Sequence, residues 1–201
     1  MFKMLVSEKP EVVHVGLHKT GTTYLQREFF PKINCRVLSN ELLSGVPMFS
    51  SLNYMLKYNL RDYYADCIKK QYGDVKIIIG VRDPESLSKS LYSQYLKAGG
   101  NQPYIVWRRI SLNESYLDYE NYIRCLKLRF SDVHVYHFED LNRCRGATLR
   151  FMCDFIGCSY PVDLIDGKRH NIGLYGLTAF KRWFYNNLQV FKRFINDRHS
   201  D

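Results

Sequence analysis

The chain has 201 residues, of which 46% are hydrophobic and 24% are charged. This composition is ordinary for a soluble globular protein, and the length excludes two full domains, so we expect a single domain over residues 1–201. A net charge of +9 favours an anionic ligand, an acidic polymer or a membrane surface as partner, without choosing among them.

The cysteines and the first residues of the chain indicate the cellular compartment in which the protein is expected. The six cysteines form no Cys-x-x-Cys pair, so we expect reduced thiols and no bound metal. The first ten residues carry charges and no long apolar stretch, unlike a signal peptide or a membrane anchor. These features predict a cytoplasmic protein.

A β-branched run at residues 11–16 predicts the first strand, and a Gly/Thr-rich turn follows it directly. The turn (residues 16–23, the anion loop) leads into a helix predicted over residues 22–30. A strand that turns into a helix through glycine leaves main-chain N–H groups unpaired, and these groups attract phosphate or sulfate oxygens. Lys19 would add a point charge to this loop, unless it is an ordinary solvated lysine.

The spacing within the anion loop differs from that of nucleoside-triphosphate loops. Those loops read Gly, four residues, Gly, Lys, then Ser or Thr, with the hydroxyl on magnesium. Here Gly16 and Gly21 flank four residues, but Lys19 precedes the second glycine and Thr22 follows it. The pattern therefore disfavours a kinase or an ATPase.

The middle of the chain alternates predicted strands and helices. A second strand is predicted at 35–39, a helix at 60–72, a third strand at 76–82 and a helix that Asp83 caps and that continues to Lys97. Such alternation predicts an α/β fold in which helices cover a parallel sheet.

The segment 99–115 lacks clear periodicity, so we expect a long loop that could close over a site. Helices near 118–130 and 146–156 and a fourth strand at 133–138 complete this region. A basic amphipathic helix is predicted over about 175–196. We expect its apolar side to pack on the core with its lysines in water, the alternative being an anionic membrane surface.

Two motifs together resemble the sulfotransferases that use 3′-phosphoadenosine 5′-phosphosulfate (PAPS). The first is Lys-Thr-Gly-Thr-Thr at 19–23, and the second is Arg-Asp-Pro at 82–84 with a serine eight residues after the arginine. The resemblance spans roughly residues 11–175. It implies a three-layer α/β/α fold, like that of P-loop NTPases, around a central parallel sheet of about four to five strands.

The resemblance also assigns donor contacts to particular residues. It implies that Lys19 contacts the transferring and leaving oxygens, and that Arg82 and Ser90 hold the 3′-phosphate. A planar guanidinium suits this last task because it can donate two charge-assisted hydrogen bonds to one phosphate. Thr22 and Thr23 would hydrogen-bond the 5′-phosphosulfate; their alternative role is helix capping, which is compatible with anion binding. A basic glycine-flanked loop at 167–173 implies a further contact from Arg169, with a free surface loop as an equal alternative. The predicted donor-binding residues are His18, Lys19, Thr20, Gly21, Thr22, Thr23, Arg82, Ser90 and Arg169.

Sulfuryl transfer also needs a base for the acceptor hydroxyl. Glu41 follows the second predicted strand, and the carboxyl ends of strands line the ligand crevice of open parallel sheets. It is our first choice, with a solvated turn glutamate as the alternative. His18 is the competitor, because a histidine of ordinary pKa about 6.5 can serve as a base at neutral pH; its alternative is packing beside the loop.

The sequence therefore predicts a sulfotransferase that moves the sulfuryl group of PAPS to an acceptor hydroxyl on a carbohydrate or glycolipid. The expected reaction has adenosine 3′,5′-bisphosphate (PAP) as its nucleotide product and needs no metal. One rival is a phosphotransferase with a P-loop, kinase-like fold. Another is a non-catalytic module that binds nucleic acid or other polyanions through the +9 charge.

Overall fold

The computed structural model describes residues 9–45, 60–162, 164 and 177–197, the last segment with side chains at 178–189. Four strands form one sheet in which every neighbouring pair is parallel, in the order β2-β1-β3-β4. All four predicted strands are confirmed. Their bounds are β1 Val12–His14, β2 Val37–Ser39, β3 Lys76–Val81 and β4 Val133–His137.

Helices connect the strands and follow the last one. The first begins as α1, continues as a π-helix and ends as a 3₁₀ helix, and two further 3₁₀ helices follow β2 and precede α5. The bounds are α1 Thr22–Tyr24, π-helix Leu25–Phe29 and 3₁₀ helix Phe30–Lys32; 3₁₀ helix Glu41–Ser44; α2 Arg61–Tyr72; α3 Pro84–Lys97; α4 Tyr104–Ser111; 3₁₀ helix Glu114–Leu117; α5 Tyr119–Lys127; α6 Phe138–Arg143; α7 Arg145–Ile156; and α8 Leu177–Asp197.

The two faces of the sheet are covered by different helices. Because side chains alternate along a strand, Val12 and Ile78 face one way, where α7 packs through Leu149. Ile77 faces the other way, toward α2 and α5, where it packs with Ile68. All five side chains are at most 2% exposed. The predicted three-layer α/β/α fold is confirmed.

The strand order creates a crevice at the carboxyl edge of the sheet. β1 has β2 on one side and β3 on the other, so successive connections leave β1 in opposite directions. Ligands of open parallel sheets bind beyond the strand ends at such a switch point. The anion loop follows β1 and Arg82 follows β3, so both predicted anion-binding motifs lie there.

The prediction of a loop over 99–115 was wrong. Residues 104–111 form α4, and a 3₁₀ helix follows at 114–117. Trp107 is fully buried and its ring packs against Tyr92 and Tyr95 of α3. Tertiary packing therefore orders a segment that the sequence pattern left without periodicity. Among the described residues, no helix is both long enough and apolar enough to cross a membrane.

Candidate functional site

The anion loop has a backbone shape suited to binding an anion. Lys19 and Gly21 both have left-handed backbone conformations, with φ of 65° and 90°. Left-handed residues within a turn direct successive main-chain N–H groups into one concavity, and α1 begins at the next residue, Thr22. A Cβ at Gly21 would lie 2.6 Å from Leu141 Cδ2, so this position also needs glycine for space.

Two of the loop threonines hold the turn from within. Thr20 Oγ1 donates to the carbonyl of Leu17 at 2.6 Å, and Thr22 Oγ1 donates to the same carbonyl at 3.3 Å. Both side chains are buried, whereas Thr23 is half-buried. The hydroxyls of Thr20 and Thr22 thus stabilise the turn, and their contact with a donor stays a prediction.

Arg82 connects the two predicted anion-binding motifs. Its Nη1 donates to the main-chain carbonyl of Lys19 at 2.9 Å, across the switch point between β1 and β3. Its guanidinium carbon lies 4.3 Å from the centre of the Phe138 ring, and the residue is 7% exposed. The arginine is therefore held beside the anion loop at a fixed position.

A serine that the sequence analysis missed contacts this guanidinium. Ser86 Oγ accepts from Arg82 Nε and Nη2 at 3.0 and 2.9 Å. Ser90, which was predicted to hold the 3′-phosphate together with Arg82, is half-buried one helical turn further along the same face of α3. A signal for Ser86 was present, since Asp83 caps α3 by accepting from the Ser86 N–H at 2.7 Å.

Lys19 lies in a positive field with one nearby carboxylate. Burial lowers its pKa, and the charges of Lys97 and Arg82 lower it further, while Glu41 acts in the opposite direction. Three cations thus act on one place at the carboxyl edge of the sheet. Lys97, near the end of α3, was not among the predicted site residues.

The two candidate bases lie together. Glu41 follows β2 and opens a 3₁₀ helix, and its Oε1 lies 3.9 Å from His18 Nε2. The other ring nitrogen of His18, Nδ1, lies 2.9 Å from Tyr116 Oη. Burial lowers the pKa of His18, so this ring is neutral at pH 7.

Tyr116 fixes His18 and was missed by the sequence analysis. Its Oη accepts from the main-chain N–H of His18 at 2.9 Å and lies 3.2 Å from Ser44 Oγ. Burial raises its pKa to about 12, so the phenol keeps its proton at neutral pH. The tyrosine directly follows the segment expected to be a loop, and it reaches a histidine 98 residues earlier.

A buried arginine holds the Tyr116 segment in place. Arg61, only 1% exposed, donates to the carbonyl of Tyr116 at 2.6 Å and to that of Ser44 at 3.0 Å. Its guanidinium also lies 4.7 Å from the centre of the Tyr116 ring. The guanidinium of Arg61 thereby connects the segment after β2 to the segment before α5.

His14 is connected to the anion loop through Tyr136. It is fully buried in β1, with Nδ1 at 2.7 Å from Ser39 Oγ and Nε2 at 3.2 Å from Tyr136 Oη. The Tyr136 hydroxyl in turn donates to the carbonyl of Thr20 at 3.2 Å. Arg169 lies outside the described residues. Within the described part of the chain, no group of three or more His, Cys, Asp or Glu side chains is placed to hold a metal ion.

A solved structure shares this architecture. A sulfotransferase from Alicyclobacillus acidocaldarius aligns over 80% of this chain and 87% of its own length, with a TM-score of 0.57. The chain has a sulfotransferase fold. At 16% identity this likeness concerns the fold alone.

Two further sulfotransferase structures align less closely. Mouse sulfotransferase SULT7A1 complexed with PAP gives a TM-score of 0.47 at 16% identity, over 90% of this chain and 64% of the mouse protein. A sulfotransferase domain from the curacin biosynthetic pathway gives 0.41 at 18% identity, over 78% of this chain and 50% of the domain. No protein-family model matches the chain, and no curated protein does.

Proposed function

We propose that the protein is a sulfotransferase that takes the sulfuryl group from PAPS and transfers it to an acceptor hydroxyl. The observation that carries the proposal is the hydrogen bond of 2.9 Å between Arg82 Nη1 and the carbonyl of Lys19. This bond keeps two anion-binding elements next to each other at the switch point. A nucleotide with phosphate groups at both its 3′ and 5′ positions needs two such elements.

The anion loop suits the 5′ end of the donor. Its converging N–H groups and the start of α1 favour negative charge, and Lys19 adds a cation at the same place. Arg82, with Ser86 and Ser90 on the adjoining face of α3, suits the 3′-phosphate. We extend the proposal to Arg169 on the basis of the sequence resemblance.

The transfer step assigns one role to each group near the acceptor. The acceptor oxygen forms a bond to sulfur while the bond from sulfur to the phosphate oxygen breaks. Glu41 takes the acceptor proton, and Lys19 stabilises the charge that develops on the leaving phosphate. His18, held by Tyr116, orients the carboxylate of Glu41 across their 3.9 Å separation.

We propose a carbohydrate or glycolipid as the acceptor. Support comes from the resemblance, because some sulfotransferases, particularly those that act on sugars, use a glutamate near this place, whereas others use a histidine. Glu41 is 43% exposed, so its carboxylate is open to an entering hydroxyl.

A transfer assay tests this function. We expect radiolabelled sulfate to pass from PAPS to members of a panel of sugars and glycolipids in the presence of EDTA, and Lys19→Ala to abolish the transfer. Lys127→Ala, which changes an exposed lysine on α5, is the matched control and should retain full activity.

The rival functions predict different outcomes. Magnesium-dependent phosphoryl transfer from ATP would support the phosphotransferase. Steeply salt-dependent binding of nucleic acid without nucleotide preference would support the polyanion module. Either result without sulfate transfer contradicts the proposal.

A further inference from the structure

Helix α8 packs against the protein through polar side chains. Asn186 Nδ2 donates to the carbonyls of Leu96 and Gly100 at 2.9 and 2.6 Å, and Trp183 Nε1 donates to the carbonyl of Asn101 at 2.7 Å. These carbonyls lie at and just beyond the end of α3, and the carbonyl of Leu96 also accepts from the Gly99 N–H at 3.1 Å. The bonds from Asn186 and Trp183 hold α8 in place.

The apolar side of α8 is left in contact with solvent. Phe180, Phe184 and Leu188 recur every four residues on one stripe, and they are 59%, 52% and 42% exposed. The prediction that this side packs on the core was therefore wrong for these three residues. The helix presents large apolar side chains outward while asparagines face the protein.

Helix α4, which like α8 packs on α3, has a second exposed apolar face. Ile105, Val106 and Ile110 are 80%, 41% and 51% exposed. α4 begins three residues after Asn101, whose carbonyl accepts from α8, so α8 contacts the segment that leads into α4. We call the exposed side chains of both helices the α4–α8 surface: Ile105, Val106, Ile110, Phe180, Phe184 and Leu188.

Basic side chains accompany this surface. Arg109 stands between Ile105 and Ile110 on the exposed side of α4, and Lys181 is exposed next to Phe180 on α8. In the sequence, residues 177–197 contain four basic residues and one acidic residue. An apolar stripe flanked by cations is complementary to a partner that has an apolar interior and a negatively charged outer layer.

We propose that the α4–α8 surface docks on an anionic lipid membrane. Apolar side chains of an amphipathic helix enter the boundary between headgroups and acyl chains, and flanking lysines and arginines attract acidic headgroups. A second copy of the chain fits less well, because it would bring two molecules of net charge +9 together. The inference is independent of the proposed function, since it requires no nucleotide.

Vesicle flotation of the full chain tests the proposal. We expect the protein to float with phosphatidylcholine vesicles enriched in phosphatidylserine, less with pure phosphatidylcholine, and less again as salt is raised. The variant Phe184→Gln/Leu188→Gln should weaken binding at least about tenfold, because it removes two apolar side chains from the interface. The control Phe151→Gln/Leu128→Gln removes two side chains that are 66% and 79% exposed elsewhere, and it should bind as the wild type does.

Several outcomes would overturn the proposal. In the first, the wild type stays at the bottom of the gradient with acidic vesicles. In the second, the test variant and the control variant lose equal amounts of vesicle binding. In the third, light scattering shows that the wild type is a dimer and that Phe184→Gln/Leu188→Gln dissociates it without changing flotation. The α4–α8 surface would then bind a second copy of the chain. Circular dichroism and PAP calorimetry on both pairs report folding and donor binding separately, so a failure here is distinguishable from a failure of the proposed function.

Discussion

Glu41 and His18 reach the same point of the site from different elements, and their surroundings separate their roles. The His18 ring is buried, has a lowered pKa and is bound at Nδ1 by Tyr116, whereas the Glu41 carboxylate is 43% exposed. A partly solvated carboxylate can receive a proton and release it to water. The histidine is the better fixed of the two, which suits an orienting group.

This difference predicts unequal effects of removing each side chain. Glu41→Gln keeps the shape but removes the charge, so we expect kcat for sulfate transfer to fall by about 10²- to 10⁴-fold with PAP affinity unchanged. His18→Asn should lower kcat less. Steady-state kinetics with calorimetry on both variants decides this, and a larger loss for His18→Asn would make the histidine the base.

His14 predicts a pH dependence of stability. Burial lowers its pKa to about 3, against an ordinary value near 6.5 in the unfolded chain. Below pH 6.5 the unfolded state binds a proton that the folded state refuses until near pH 3. The contribution to the free energy of unfolding is therefore complete above pH 6.5 and falls with pH through this window, by about 3 kcal/mol at pH 4.5.

Urea unfolding at pH 7 and pH 4.5 measures this contribution. The loss between the two pH values should be smaller in His14→Gln than in the wild type by about 3 kcal/mol. His137→Gln changes an exposed histidine at the end of strand β4 of the same sheet and should retain the wild-type loss. An unchanged loss in His14→Gln would contradict the account.

At the scale of elements, sequence patterns predicted those parts of the fold that repeat a simple period. The strands show short β-branched runs, and α3 has an N-cap and an N-terminal proline beside each other. Helix α4 was missed because it is apolar on both sides. Trp107 faces inward while Ile105 and Ile110 face solvent, so its apolar residues do not mark the buried side.

The site was predictable to the extent that its residues adjoin strand ends. Lys19, Glu41 and Arg82 each follow a strand of a parallel sheet, and such strands end at one edge. Tyr116 and Arg61 could not be predicted, since their contacts join segments far apart in the chain. Ser86 contacts Arg82 because it is one helical turn closer to it than Ser90, whose expected contact with the 3′-phosphate stays a prediction.

Gly21 provides a prediction for the turn between β1 and α1. It has positive φ and no room for a Cβ, whereas Gly99 has positive φ with open space around it. Gly99→Ala therefore measures the backbone strain alone, about 1–2 kcal/mol. Gly21→Ala should cost more stability than Gly99→Ala and also weaken PAP binding.

Thermal unfolding with calorimetry on the two glycine variants checks this comparison. The extra loss in Gly21→Ala is attributed to the contact with Leu141, which must shift to admit the methyl group. Equal losses of stability, with PAP binding intact in both variants, would show that the loop accepts a side chain at this position.

On the scale of the whole molecule, basic residues stand at two separate proposed functional sites. Lys19, Arg82 and Lys97 act together at the carboxyl edge of the sheet, while Arg109 and Lys181 accompany the exposed apolar side chains of α4 and α8. The net charge alone could not separate a nucleotide site from a membrane surface. The fold separates them because only the first set adjoins the anion loop.

Titration calorimetry with PAP and with AMP, both in EDTA, tests the central claim most directly. AMP lacks the 3′-phosphate, so PAP should bind at least about 100-fold more tightly, which corresponds to two charge-assisted hydrogen bonds. Arg82→Ala should reduce PAP affinity to the level of AMP, and Arg124→Ala, an exposed arginine on α5, should leave it unchanged. Equal affinities for PAP and AMP in the wild type, or no binding of PAP, would contradict the account.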